Sequence, residues 1–194
     1  MFLVALRGVW QQQAGEGDKQ MRAPIKKDAE FEIVLGFTQS MERPAMYRLM
    51  MLLSIRLGLR PLELSGLETS WFRGDELRIP LGYSKRKSGR SLPVSEEIID
   101  ALEAHMGGQK GRIFRNARGD AFDANGISMA MRRLYKRAGV EGSAYSGRRT
   151  MATRMVDEGV NIAVVSKVLG HSSIATTQNY IGVTDSMMRR ALFS

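Results

Sequence analysis

The stretch Leu169–Tyr180, which reads LGHSSIATTQNY, decides how this chain is interpreted. Gly170 is a typical helix-ending residue, and residues from about 173 to 181 have helical spacing. His171 stands next to the break, nine residues before Tyr180. A tyrosine in a short helix is usually a core residue with a satisfied hydroxyl. Other parts of the sequence must therefore show whether this histidine and tyrosine take part in a reaction.

Three further stretches carry paired or clustered charges. Leu57–Leu64 (LGLRPLEL) places Arg60 directly after a helix break, three residues before Glu63. Such a pair is often only a structural salt bridge. Ser84–Val94 (SKRKSGRSLPV) is a basic turn between predicted strands, and a solvated basic hairpin is its simplest explanation. Ala144–Thr153 (AYSGRRTMAT) contains two adjacent arginines.

Taken in the order in which they occur along the chain, these four stretches resemble the motifs of the catalytic domain of tyrosine recombinases, the phage-integrase family. Leu57–Leu64 is similar to the family's first arginine box and Ala144–Thr153 to its second. Leu169–Tyr180 is similar throughout to the segment that ends in the nucleophilic tyrosine. The family spacing from histidine to tyrosine is also nine residues. The resemblance implies an enzyme that cleaves and rejoins DNA strands, in DNA integration or excision.

The resemblance assigns a role to each candidate catalytic residue. Tyr180 would attack a DNA phosphate and hold it as a covalent 3′-phosphotyrosine intermediate. Arg60 and Arg148 would hold the phosphate oxygens, since a guanidinium stays charged and donates two parallel hydrogen bonds. His171 would be a further donor to the phosphate. Glu63 would orient the arginines from behind, because a carboxylate facing the phosphate would repel it.

The basic turn would supply the general acid. The family register favours Lys85, with Lys87 in reserve, as the group that protonates the departing 5′ oxygen. Because the pKa of lysine is normally about 10.4, nearby cations must lower it for this task. The basic residues expected to contact DNA are Arg86, Lys87, Arg90 and Arg149.

The sequence departs from the family pattern in the second box. Tyr145 occupies the position where a histidine usually precedes the arginine by three residues, and Arg149 occupies a position that is often histidine. A phenol, with a pKa of about 10, is a poor general base at neutral pH, but it can donate a hydrogen bond to phosphate. Tyr145 is therefore kept among the candidate catalytic residues.

The composition favours a polyanionic partner. The 194 residues carry 29 Lys and Arg against 20 Asp and Glu, a formal charge of +9. A positive surface attracts DNA phosphates whatever the base sequence. The chain has no cysteine, which excludes disulfides and thiolate metal sites, and no carboxylate cluster suggests a metal. We expect no cofactor, no membrane segment, and a cytoplasmic, nucleoid-associated location.

The pattern of apolar residues predicts a mostly helical α+β domain with a small three-stranded antiparallel sheet. Two helices should open the domain, at 27 to 39 and 43 to 57. The predicted strands contain Trp71-Phe72, Leu77 to Leu81, and Leu92 to Val94. A capped helix should start at Ser95 and reach His105. Further helices are predicted at 125–138, 148–158, 161–169, 173–181 and 185–193.

The predicted organisation has three parts: a lead or linker remnant at 1–26, a catalytic domain at 27–183, and an amphipathic tail at 184–194. Most family members carry a separate N-terminal helical domain that clamps the DNA, which residues 1–26 are too short to supply. The resemblance implies double-stranded DNA as partner, a tetramer on paired sites with exchanged tails, and accessory proteins that bend DNA. Packing of the tail on its own domain is the alternative.

Three functions remain open from the sequence. The first is an active strand-exchange enzyme. The second, motivated by Tyr145 and the missing clamp, is a DNA-binding regulator whose catalysis has decayed. The third is a relaxing enzyme of the type IB topoisomerase kind, which shares the chemistry.

Overall fold

The computed structural model describes residues 28–83, 89–178, 181 and 185–193. These residues form helices joined to one small sheet. In chain order the elements are α1 (Asp28–Phe37), α2 (Pro44–Arg56), α3 (Pro61–Gly66), β1 (Phe72–Arg73), β2 (Glu76–Ile79), β3 (Arg90–Pro93), α4 (Glu96–Met106), α5 (Ala124–Arg137), α6 (Ser146–Asp157), α7 (Ile162–Leu169), α8 (Ile174–Gln178) and α9 (Asp185–Phe193). The predicted α+β fold class is confirmed.

Helix α2 is the centre of the main core. It packs against α4 and α6, and its residues from Leu49 to Ile55 are all buried, Ser54 included. The helix is therefore buried on most of its surface, while Arg48 and Arg56 remain partly exposed. Gly147 at the start of α6 makes this close packing possible, since a Cβ there would lie 2.7 Å from Ser54 Oγ.

The sheet is antiparallel with strand order β1-β2-β3, as predicted. Leu77 pairs with Phe72 on one side and with Leu92 on the other. Leu77, Ile79 and Leu92 are buried, so alternate residues of the strands face the core. Three apolar residues of the predicted strands lie outside the observed ones: Trp71 ends a short 3₁₀ turn, Leu81 is exposed beyond β2, and Val94 follows the last residue of β3.

Helix α3 was not predicted, and the start of α4 differs in detail. Pro61 provides the first residue of α3, a position where the missing N–H of proline is no loss. The predicted cap at Ser95 is wrong in one respect: its side chain makes no capping hydrogen bond, although the residue does precede α4. Sequence reasoning missed two capping side chains: Asp123 accepts a hydrogen bond from the Gly126 N–H at the start of α5, and Asn161 accepts one from the Ala163 N–H at the start of α7.

A second, smaller core joins α6 to α7. Met151 and Ala152 pack there against Val165 and Leu169, separately from the main core. The final helix α9 has the predicted bounds and is connected to α6 by an ion pair of 2.8 Å between Arg190 and Asp157. Among the helices that the structure describes, none has the length and apolar character needed to cross a bilayer.

Candidate active site

Arg60 is held at the start of α3 by Glu63. The carboxylate of Glu63 accepts a hydrogen bond of 2.7 Å from the Arg60 backbone N–H and one of 3.1 Å from its Nη1. This arrangement needs a glutamate three residues after the arginine, which is the spacing seen in the sequence. The short helix therefore fixes the direction of the Arg60 guanidinium.

Arg90, the first residue of β3, binds the same carboxylate with both terminal nitrogens. Its Nη2 lies 3.0 Å from Glu63 Oε2, and its Nη1 donates to Oε1. Glu63 is fully buried, which by itself raises the pKa of the carboxyl, but the hydrogen bonds and charges of Arg90 and Arg60 outweigh burial and lower that pKa. Glu63 is thus a charged anchor for two arginines, as the sequence suggested for Arg60 but not for Arg90.

Arg148, on α6, is fully buried and is anchored by backbone carbonyls. Its Nη1 donates to Gly58 O and its Nη2 to Leu169 O. Gly58 directly precedes the Arg60 region, so the carbonyl connects the two arginine boxes. A guanidinium has no acceptor, so its position is set entirely by where these carbonyls point.

The C-terminal end of α7 brings Arg60 and Arg148 together. Arg148 binds the carbonyl of Leu169, and Arg60 Nη2 donates to the next carbonyl, Gly170 O, at 3.2 Å. The end of a helix carries partial negative charge on its free carbonyls, so it stabilises cations. Gly170 takes a left-handed backbone with φ of 62°, and a Cβ there would lie 2.9 Å from Arg90 Nη1. The tight approach of three arginines therefore needs glycine at this position.

His171 continues directly from this helix end into the cluster. Its Nε2 lies 3.0 Å from Arg148 Nη2 and its Nδ1 lies 2.8 Å from Thr177 Oγ1. Burial, followed by the charges of Arg148, Arg60 and Arg90, lowers the pKa of His171 to about 4, against a smaller opposing effect of Glu63. The ring is therefore neutral at pH 7, and it can donate from Nε2 to a phosphate only after it takes up a proton.

The assembled charges define an anion site. The cluster contains three guanidinium groups and one carboxylate, of which Arg60 and Arg90 bind Glu63 and Arg148 binds backbone carbonyls. Because the histidine is neutral, the cluster carries a net positive charge. The residues described between 28 and 193 contain no group of three or more His, Cys, Asp or Glu that could hold a metal ion. This arrangement can bind the oxygens of a tetrahedral anion with fixed donors. Catalysis of phosphoryl transfer needs donors of this kind, held in place around the transition state.

Comparisons with known proteins agree with this geometry. The model of the phage integrase family matches residues 27–187. The chain belongs to the phage integrase family. The resemblance drawn from the four motifs is thereby confirmed. Neither the decayed regulator nor the type IB topoisomerase is favoured by the proteins that this chain matches.

The family members that this chain resembles are tyrosine recombinases. Tyrosine recombinase XerA of Thermococcus kodakarensis is 29% identical over 150 residues, which are 74% of this chain and 53% of that protein. The chain therefore spans about half the length of this relative. A crystal structure of XerA recombinase has a TM-score of 0.75 at 25% identity, over 88% of this chain and 64% of that one.

The fold likeness extends to a more distant integrase of the family. The Tn1549 transposon integrase, solved in complex with a circular intermediate DNA, has a TM-score of 0.76 at 20% identity, covering 92% of this chain and 67% of that one. At this level of identity the similarity is one of fold.

Several predicted site residues are not part of the cluster described above. The segment with Lys85, Arg86 and Lys87 and the predicted nucleophile Tyr180 lie outside the described residues. Tyr145, at the family's usual histidine position, is 43% exposed at the start of α6. These roles stay predictions.

Sequence reasoning missed the atoms that hold the cluster in place. The three anchoring carbonyls belong to Gly58, Leu169 and Gly170, and backbone atoms leave no residue-type signal in a sequence. Arg90 was expected to contact DNA, but it is only 8% exposed and its guanidinium binds Glu63. Thr177 was overlooked, although it lies in the quoted stretch, six residues after the histidine.

Proposed function

We propose that this chain is the catalytic domain of a site-specific DNA recombinase, which cleaves and rejoins strands through a 3′-phosphotyrosine intermediate on Tyr180. The observation that carries the proposal is the meeting of Arg60 and Arg148 on the consecutive carbonyls of Leu169 and Gly170. Residues 88 positions apart in the chain are thereby brought within reach of one phosphate, next to the segment that leads to the tyrosine.

In the proposed reaction, the tyrosine loses its phenolic proton to water, its oxygen attacks phosphorus and the 5′ oxygen leaves, so the phosphodiester becomes a phosphotyrosine ester and no bond energy is lost. Arg60 and Arg148 hold the non-bridging oxygens while the negative charge on them grows. Lys85 gives a proton to the departing oxygen, with Lys87 in reserve. Religation is the same path in reverse with a different 5′ hydroxyl, which exchanges strands.

The remaining predicted residues support binding in this proposal. Tyr145 can donate a hydrogen bond to the phosphate in place of the family's histidine. Contacts to the DNA backbone come from the basic turn and from the second box. The residues proposed for these contacts are Arg86, Lys87, Arg90 and Arg149. Arg90 would contact the DNA backbone while its guanidinium stays bound to Glu63.

A nicked suicide substrate tests the proposal. When the strand beyond the cleavage site is lost, the covalent protein–DNA product cannot religate and accumulates as a slower band in a denaturing gel. We expect this band with the wild-type chain and its loss in Tyr180→Phe. Tyr135→Phe is the matched control, because it removes the hydroxyl of a buried tyrosine in α5 that is not among the site residues, and it should keep the band. A band that persists in Tyr180→Phe would refute the assignment.

The proposed assembly is a tetramer on paired DNA sites, in which the tail at 184–194 packs on a neighbouring subunit. Its support is the exposure of apolar residues on α9, where Leu192 is 74% and Phe193 is 80% exposed. Such residues are normally covered by a partner. The Arg190–Asp157 ion pair connects the helix to its own domain by a surface contact, which contributes little and can be exchanged.

The double variant Leu192→Ser with Phe193→Ser tests the exchanged tail. It should bind a single DNA site normally and fail to hold two sites together in a native gel. The control is Arg189→Gln, which changes the polar face of the same helix. Unimpaired pairing of sites by the double variant would exclude a role of this apolar face. Residues 1–26 as a lead, DNA-bending helpers and a nucleoid location stay predictions.

A further inference from the structure

Thr177 is a buried polar residue that the proposed reaction does not yet use. It lies in the short helix α8 and is fully buried, and its Oγ1 lies 2.8 Å from His171 Nδ1. A buried hydroxyl is retained only where it finds a partner, because an unsatisfied one is unfavourable by about 1–3 kcal/mol. Its partner here is the ring of a proposed phosphate-binding residue.

The contacts of the two histidines specify their tautomers. Arg148 can only donate, so His171 Nε2 must accept from it, which leaves the ring proton on Nδ1 to be donated to Thr177. The other histidine of the chain, His105, is 2.9 Å through its Nε2 from the carbonyl of Ile113. A carbonyl can only accept, so His105 carries its proton on Nε2. The chain thus holds two histidines with opposite tautomers.

We propose that Thr177 is a positioning residue that holds the orientation of the His171 ring, in the tautomer that Arg148 imposes, so that Nε2 stays on the Arg148 side of the site. The proposal rests on the proposed function, since it gives His171 its phosphate. It extends that function by assigning an ordering role to a hydroxyl six residues away in the chain.

The advantage of a threonine at this place is that it suits both charge states of the ring. The groups facing His171 are Arg148, Arg60, Arg90 and the opposing Glu63, and together with burial they hold its pKa at about 4. A bound phosphate adds negative charge and favours uptake of a proton on Nε2. Because Oγ1 accepts from Nδ1–H before and after this step, the ring keeps its orientation, and Nε2–H donates to the phosphate where Nε2 previously accepted from Arg148.

The experiment is nuclear magnetic resonance of the full chain labelled with ¹⁵N-histidine, at pH 7.5. Two-bond correlations between the ring nitrogens and the carbon-bound ring protons distinguish the two neutral tautomers. Because the sequence has two histidines, the spectrum contains the signals of two imidazole rings. We expect the Nδ1–H pattern for His171 in the wild-type chain and in both variants, since Arg148 is unchanged. The Nδ1 proton signal, shifted downfield by its hydrogen bond, should be kept in Thr177→Ser and lost in Thr177→Val. His105 should keep its Nε2–H pattern throughout and reports on folding.

The proposal is overturned by an Nε2–H pattern for His171 in the wild-type chain, or by an unchanged Nδ1 proton signal in Thr177→Val. The first needs no variant, so it decides even if Thr177→Val does not fold. In the suicide-substrate assay, Thr177→Val should form covalent product about tenfold more slowly and Thr177→Ser should restore the rate, since outer partners of functional histidines contribute about this much. A normal rate in Thr177→Val would also overturn it.

Failure of the proposed function gives a different pattern. In that case the wild-type chain forms no covalent product on any substrate, whereas the tautomer of His171 in the spectrum is unaffected. An Nε2–H pattern in the wild-type chain, together with normal formation of covalent product, would refute the role of Thr177 but not the recombinase proposal.

Discussion

At the scale of single residues, Glu63 has the strongest coupling to its surroundings. It is a fully buried carboxylate with two arginine partners, and the surface offers a comparison: Glu97 also contacts two arginines, Arg48 and Arg56, but is 37% exposed. Removing one member of a buried ion pair leaves an uncompensated charge, whereas exposed pairs are screened by water. Loss of either glutamate therefore has a different effect on the free energy of unfolding, although each glutamate has two arginine partners.

The first prediction compares these two residues. Glu63→Gln should lower the free energy of unfolding by about 3 kcal/mol, because the charges of Arg60 and Arg90 stay buried without their counterion. Glu97→Gln should lower it by less than about 1 kcal/mol. Chemical denaturation of both variants measures this difference. Equal losses would mean that Glu63 is not the anchor described.

The second prediction concerns His171 and pH. The pKa of His171 is about 4 in the folded chain and 6.5 ordinarily, so between these values the unfolded chain binds the proton more readily. The contribution of this residue to stability is complete above pH 6.5 and is lost as the pH falls towards 4. An NMR titration should show the His171 ring still neutral at pH 5.5, with His171→Gln identifying its signals. A midpoint near 6.5 would contradict the burial described.

A further part of the acid sensitivity belongs to Glu63. Because its pKa is lowered from 4.5, its contribution to stability is present above pH 4.5 and disappears only as the pH falls below that value. The two residues thus act in successive pH ranges, the histidine first. Glu63→Gln should remove only the loss that occurs in the lower range.

At the scale of elements, the helix ends assemble the site. The C-terminal end of α7 and the start of α3 hold the arginines. The first was visible in the sequence as Gly170, whereas Gly58 indicated only the end of α2. Helix and strand positions were largely predictable, because apolar periodicity reflects burial. Helix α3 was not, since its six residues are too few to show a period. The pairing of Arg90 with Glu63 depends on tertiary approach, which no local pattern encodes.

The third prediction separates backbone strain from crowding at such a helix end. Gly170 and Gly107 both end helices with a left-handed backbone, with φ of 62° and 54°. An alanine at either position should be unfavourable by about 1–2 kcal/mol. Around Gly107 nothing lies within 4 Å of a Cβ, whereas at Gly170 the Cβ would meet Arg90. Gly170→Ala should therefore lose more stability than Gly107→Ala, and also covalent product formation, in parallel assays.

Equal effects of the two alanine variants on stability and on cleavage would show that Arg90 can move aside without consequence. Because the first contact at Gly170 is with the end of a long side chain, the size of the extra loss measures how firmly Glu63 holds Arg90 in place.

At the scale of the whole molecule, the formal charge of +9 favours the DNA partner of the proposed function. Binding of phosphates releases counterions, so affinity falls steeply as salt is added. A surface that makes about six phosphate contacts loses about 10³-fold in affinity between roughly 50 and 200 mM salt. The site cluster supplies only a part of this charge, because Glu63 neutralises one arginine within it.

The fourth prediction follows from this salt dependence. Arg149→Gln should weaken binding to all DNA sequences alike and reduce the slope of log affinity against log salt by about one. Arg78→Gln is the control, because Arg78 already pairs with Glu76 at the surface. Fluorescence anisotropy over a series of salt concentrations measures both slopes. An unchanged slope for Arg149→Gln would remove this residue from the DNA interface.

The separate small core beneath α6 and α7 sets the order in which the molecule fails on heating. Only a few side chains hold these two helices together, so their pairing can open locally while the main core around α2 is intact. When the end of α7 frays, the carbonyls of Leu169 and Gly170 release both arginines in one event. Inactivation should therefore precede melting, and the amide of His171, bonded to the Ser166 carbonyl, should exchange its hydrogen early in that process.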